Sequence, residues 1–206
     1  MPVLVDTIVS LYEFTDADIA SLESTLFEQL RLAWLEQMRA LAVRHGVANP
    51  TPTLQGADLE RLQGKAREDA LSIANTYNRE LRNQVEAIYA RNPGITRNEM
   101  ISILESWGRK RDEYKSIQVA LAIVMWAVYY GLQQFVIHNG LFNELFEAVG
   151  GTPVCPICMR IVGDGIVSYD YTVANPLPAH ISCSHEYYAV NPQDLARQGV
   201  AIWVGQ

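Results

Sequence analysis

The sequence predicts a mainly α fold, with an elongated helical region over residues 1–150 followed by a small module with short strands over residues 151–206. Three observations lead there. Apolar residues recur every three or four positions through most of the first 150 residues, the repeat of helices with one buried face. Threonine and acidic residues stand where helix starts need capping oxygens. Beyond Gly151 the helical repeat stops, and Pro153, Pro156, Gly163, Gly165, Pro176, Pro178 and Pro192 punctuate the chain.

Thr15-Asp16-Ala17-Asp18 supplies a capping hydroxyl and first-turn acids, so a helix is expected to start here. Ile19, Leu22, Leu26, Leu30, Ala33 and Leu41 form its apolar stripe, with Trp34 and Met38 beside them. Gly46 and Asn49-Pro50-Thr51-Pro52 end it and form a linker. A second helix is expected over residues 58–91, where Leu59, Leu62, Ala66, Ala70, Ile73, Tyr77, Leu81, Val85 and Ile88 keep helical spacing throughout. Asn92-Pro93-Gly94 breaks the chain. Thr96 and Glu99 then form a capping box, opening a short helix with Met100, Ile103, Leu104 and Trp107.

A fourth helix is expected to start at Asp112 and to stop near Asn139-Gly140. It contains residues 119–132, fourteen positions without a charge. A membrane span wants roughly 20 apolar residues, so this run reads as a buried core helix and no membrane partner is expected. Residues 141–149 read as a fifth, short helix presenting Phe142, Leu145 and Phe146. In the last module, Gly163-Asp164-Gly165 reads as a hairpin turn between the short runs Ile161-Val162 and Ile166-Val167. Residues 200–204 read as a strand or a docking arm.

The bulk composition narrows the function classes. A hydrophobic content of 49% among 206 residues supports a real core, and 19% charged residues argues against wholesale disorder. The net charge of −7 argues against a general nucleic-acid binder. Three cysteines, an odd number, do not suit a disulfide-stapled secreted scaffold. The opening residues lack a basic leader, so synthesis is expected in the cytoplasm.

The module beyond residue 150 has too few regular elements to bury much apolar surface alone, and it needs a staple. Cys155-Pro156-Ile157-Cys158 places two thiols three residues apart, so that one tight turn aims both sulfurs at one point and its amides stabilise them. His180-Ile181-Ser182-Cys183 supplies a second pair at the same spacing, after twenty-one intervening residues. Cys155, Cys158, His180 and Cys183 therefore make the four-donor set of a closed, structural Zn2+ site. Thiolate and imidazole donors suit zinc rather than calcium or magnesium, which take oxygen. His185 competes with His180 for the fourth place. The blander readings are small buried cysteines or a disulfide between two of them.

No catalytic residue is assigned. The chain has no His-Glu-x-x-His helix, no phosphate loop, no Gly-x-Ser-x-Gly and no paired-carboxylate signature, and four good donors leave no open metal position. The expectation is a protein that is not an enzyme. Arg109-Lys110-Arg111, near Arg97 and Lys115, is the one dense basic run and the candidate nucleic-acid contact. A solvated helix junction is the simpler reading, since Asp112-Glu113 follow directly.

Leu145-Phe146-Glu147-Ala148-Val149, then Cys155-Pro156-Ile157-Cys158, Gly163 and Pro178-x-His180-x-x-Cys183 together resemble the carboxyl-terminal part of the tailed-phage head-morphogenesis family, the Mu F-like minor head proteins. Tyr129-Tyr130-Gly131 stands where that family has an aromatic-glycine helix ahead of its cysteines, and His185 stands where it often has a further cysteine. The resemblance covers roughly residues 111–188. It implies a structural component of the virion in the head or neck region, present in multiple copies, assisting head morphogenesis. Its implied partners are the portal and major capsid proteins and packaged DNA. The alternative is a zinc-ribbon adaptor or regulator that binds nucleic acid or a protein partner.

Overall fold

The computed structural model describes residues 2–44, 50–140, 145–150, 155–177 and 185–190. The fold is mainly helical, with short antiparallel strands toward its carboxyl-terminal end, as the sequence predicts. Its elements are α1 (Pro2–Tyr12), α2 (Asp16–Arg44), α3 (Gly56–Arg91), α4 (Arg97–Asn139), β1 (Leu145–Val149), α5 (Pro156–Gly163), β2 (Ile166–Ser168), α6 (Tyr169–Ala174) and β3 (Glu186–Val190). They divide into two compact units: Met1–Glu28 with Gly56–Ile117, and Gln29–Gln55 with Gln118–Gln206. The change of character at residues 150 and 151 falls inside the second unit.

In the first unit, the two helix starts predicted from a capping threonine, at Thr15 and Thr96, are capped by side chains. Thr15 N donates to Asp18 Oδ2 at 2.9 Å, and Asp18 N donates to Thr15 Oγ1 at 3.2 Å. Thr96 N donates to Glu99 Oε2 at 2.9 Å, and Glu99 N returns the bond to Thr96 Oγ1 at 3.3 Å, which is the reciprocal capping box expected of this pair. The stripe on α3 is buried at Leu62, Ala66, Ala70, Ala74, Leu81, Val85 and Ile88. Leu81, Val85 and Ile88 join Ile8 and Val9 of α1, Ile95 just before α4, and Met100 and Leu104 in its first turns in one core cluster.

α1 is an element the sequence reading did not assign. Its Val3, Val5, Ile8 and Val9 are β-branched, a type with lower helix propensity, and no capping residue precedes it. Burial of Ile8 and Val9 against α3 overrides that weakness. A second correction concerns α4, which runs unbroken through Gly108 where a junction between two helices was expected. An interior glycine costs about 1 kcal/mol relative to alanine. Arg111, bonded to Glu80 of α3 and lying over the ring of Tyr77, anchors the next turn and offsets that cost.

The second unit is built on a three-stranded antiparallel sheet of order β2-β1-β3. Leu145 faces Ser168 of β2 and Val190 of β3, and Val149 faces Glu186. Here the expected helix over residues 141–149 is corrected: residues 145–149 form the central strand, and residues 141–144 lie outside the described residues. Phe146 and Ala148 are buried while Glu147 between them is exposed, a period of two. Short apolar runs do not separate strand from helix by composition, and pairing on both edges decides this one.

Two further corrections belong to the same region. Ile161-Val162 lies in α5, not in a hairpin strand, although Ile166-Val167 does begin β2 as expected. The helical repeat resumes in α5 and α6, each too short to give a periodic signature. The segment read as a strand or docking arm, residues 200–204, lies outside the described residues.

α4 is long and apolar enough to cross a membrane by length and composition. Its Tyr129, Leu132, Phe135 and Val136 are buried in the second unit's core with Phe146, Cys158, Ile161, Val167, Leu177 and Tyr187, while Leu121 earlier in the apolar run is exposed. The Tyr129 hydroxyl donates to the Thr172 carbonyl at 2.8 Å and accepts from Gln133 Nε2 at 2.7 Å. Burial, with nearby Tyr169, pushes that hydroxyl up to about 12, so it keeps its proton and its donor role at neutral pH. Gly140, at φ 65°, ends α4 in the left-handed region that only glycine enters without cost.

Candidate metal centre

The candidate centre starts where β1 leaves the sheet. Cys155 is the N-cap of α5, with an extended backbone at φ −121° and ψ 154°, and Pro156 follows at the first helical position. Proline suits that place because its fixed φ is already helical and its missing N–H would have no partner in the helix. The Met159 N–H donates to the Cys155 carbonyl at 2.9 Å and closes the turn. The Cys158 N–H donates to Cys155 Sγ at 3.2 Å. A sulfur thus fills the capping role usually taken by a serine or aspartate oxygen.

The two sulfurs differ in access. Cys158 is 2% exposed and packs in the core beside Ile161, whereas Cys155 is half-buried against the edge of that cluster. These soft donors, one of them accepting an amide hydrogen bond, suit zinc. His180 and Cys183, the second expected pair, lie outside the described residues. His185 is 3% exposed and directly precedes β3, whose first residue pairs with the last residue of β1. Among the described residues no group of three His, Cys, Asp or Glu side chains converges as a metal site.

The basic run is divided in the first unit. Arg109 and Lys110 are exposed. Arg111 is half-buried: its Nε donates to Glu80 Oε2 at 2.7 Å, and its guanidinium lies 4.8 Å from the Tyr77 ring centre and 5.9 Å from that of Trp107. Lys115 Nζ donates to the other Glu80 oxygen at 2.6 Å. The Lys115 hydrogen bond first, and then the bond and charge of Arg111, hold the Glu80 carboxyl below its ordinary value despite partial burial. Of the three candidate phosphate contacts, Arg111 is therefore engaged in holding α4 on α3. Sequence reasoning missed Glu80 as its partner, since nothing in the α3 repeat distinguishes this glutamate from other solvent-facing acids.

Compared with protein-family models, curated proteins and solved structures, the chain finds no match.

Proposed function

We propose that the chain is a structural component of a tailed-phage virion, a minor head or portal-proximal protein, whose carboxyl-terminal module is held by one structural zinc ion. The observation that carries the metal reading is the Cys155–Cys158 turn, in which helix geometry and a backbone amide serve a pair of thiols. His180 and Cys183 supply the remaining donors at matching spacing. The zinc ties the two pairs together, so its binding energy is folding energy for the module. The virion reading is supported by the ordered string from Leu145 to Cys183, which resembles the minor head proteins. Within it, the run at residues 145–149 is the strand β1 that leads to the first cysteine.

Elemental analysis of the purified protein tests the metal. About one zinc per chain, the stoichiometry of a closed four-donor site, should be lost in Cys158→Ser together with protease resistance beyond residue 145. Mass spectrometry of purified particles tests the assembly role: a defined copy number is expected, and absence from particles sinks the virion reading. Specific capture of a nucleic acid by the full chain, in the absence of particle incorporation, would establish the adaptor alternative instead.

A further inference from the structure

We propose that Cys155 and Cys158 are an oxidisable dithiol, with Cys155 the sulfur attacked by a peroxide and Cys158 the sulfur that resolves it into a disulfide. Three observations carry this. The residues occupy the N-cap and third helical positions of one closed turn. Helical geometry sets their Cα atoms roughly 5–6 Å apart, within the span a disulfide bridges. Their access is unequal in the order such a reaction needs, with Cys155 partly exposed and Cys158 2% exposed in the core. Finally, the Cys158 amide already donates to Cys155 Sγ at 3.2 Å, fixing that sulfur over the turn that carries its partner.

The steps balance. The Cys155 sulfur attacks one peroxide oxygen, an S–O bond forms and the O–O bond breaks. Hydroxide leaves and takes up the thiol proton as water, so that sulfur is oxidised by two electrons and the peroxide reduced. The Cys158 sulfur then attacks the Cys155 sulfur. The S–S bond forms, the S–O bond breaks, and the departing hydroxide leaves as water with the Cys158 proton. Burial keeps Cys158 from meeting oxidant directly, and its place one turn away makes resolution intramolecular. A dithiol reductant reverses the bond. One consequence rests on the zinc reading above: a disulfide consumes two of the four donors, so the oxidised and zinc-bound forms exclude each other.

The experiment uses the full-length protein, as purified and after chelator stripping, treated with a small excess of hydrogen peroxide. In the stripped protein, two of the three thiols should disappear together. Peptide mapping should show residues 155 and 158 joined, with both thiols restored by dithiothreitol. In the as-purified protein, zinc release should track thiol loss. Conversion of Cys155 to sulfinic acid with Cys158 still reduced overturns the proposal, as does a bond from either cysteine to Cys183. The linked peptide in a protein that never binds zinc removes the zinc reading and leaves this inference standing; bound zinc with no linked peptide after stripping does the reverse. Cys158→Ser should leave Cys155 as a sulfenic acid trapped by a cyclic dione, and Cys155→Ser should slow oxidation at Cys158 roughly tenfold or more. The wild-type map decides the matter even if either variant folds poorly.

Discussion

Glu80 accepts from two cations at once, one on each carboxylate oxygen, and one of them, Arg111, is stacked on Tyr77. An exposed ion pair contributes little, but a half-buried carboxylate with two charged donors leaves both cations poorly satisfied when it is removed. Glu80→Gln should destabilise the protein by about 1–2 kcal/mol in denaturant melts. The pH dependence has a fixed sign. Glu80 in the folded protein lies below its ordinary value of 4.5, so its contribution is complete above 4.5 and is lost as pH falls through the lowered value. Melts from about pH 5 down to about pH 3 should fall less steeply in Glu80→Gln than in wild type; equal slopes would show that the two bonds do not stabilise the fold. The sequence presents Arg109, Lys110 and Arg111 as one patch. Only packing reveals that the third is turned toward a carboxylate 31 positions earlier, because pairing across helices depends on their azimuth, which a single chain's charge pattern does not encode.

At the scale of elements, legibility followed length. The α3 stripe was readable because its period persists over 36 residues, and the Thr96–Glu99 box because capping is local chemistry. Residues 145–149 were misread because five residues hold too few repeats to separate a period of two from one of 3.6, and the two partner strands lie far along the chain. Phe146 is fully buried at the centre of the sheet, and Phe146→Ala should cost about 3–5 kcal/mol in the same melts. Within α4, Gly131 lies where α2 comes close: an added Cβ would meet Gln37 Cβ and Cγ at 3.3 Å and Trp34 Cδ1 at 3.5 Å. An alanine in a helix interior ordinarily gains close to 1 kcal/mol over glycine, and here the crowding opposes that gain. Gly131→Val adds branches with nowhere to go and should destabilise by about 1–3 kcal/mol. A neutral result would mean that α2 yields at Gln37 without cost.

For the whole molecule, the division into two units sets where metal loss should be felt. The first unit's core cluster joins Ile8 and Val9 of α1, Leu81, Val85 and Ile88 of α3, Ile95, and Met100 and Leu104 of α4, with no donor of the candidate centre among them. The second unit's cluster includes Cys158 itself, packed with Ile161, Phe146 and Tyr187 on the sheet and its helices. On the zinc proposal, an ion drawing on Cys155 and Cys158 would hold the start of α5, and through Cys158 and Ile161 would keep that helix on β1. Its removal would leave the short strands β1, β2 and β3 with the apolar contacts they share with Leu41 of α2 and with Tyr129, Leu132, Phe135 and Val136 of α4. Hydrogen exchange on chelator-stripped protein should accelerate in β1, α5 and β3, while the amides of α3 around Leu81 and Val85 keep their protection. Uniform acceleration through α3 would tie the stability of the first unit to the metal. Unchanged exchange in α5, in protein shown to have lost zinc, would mean that the turn is held by its amide–sulfur cap and proline start alone, and that the ion serves another segment of the chain.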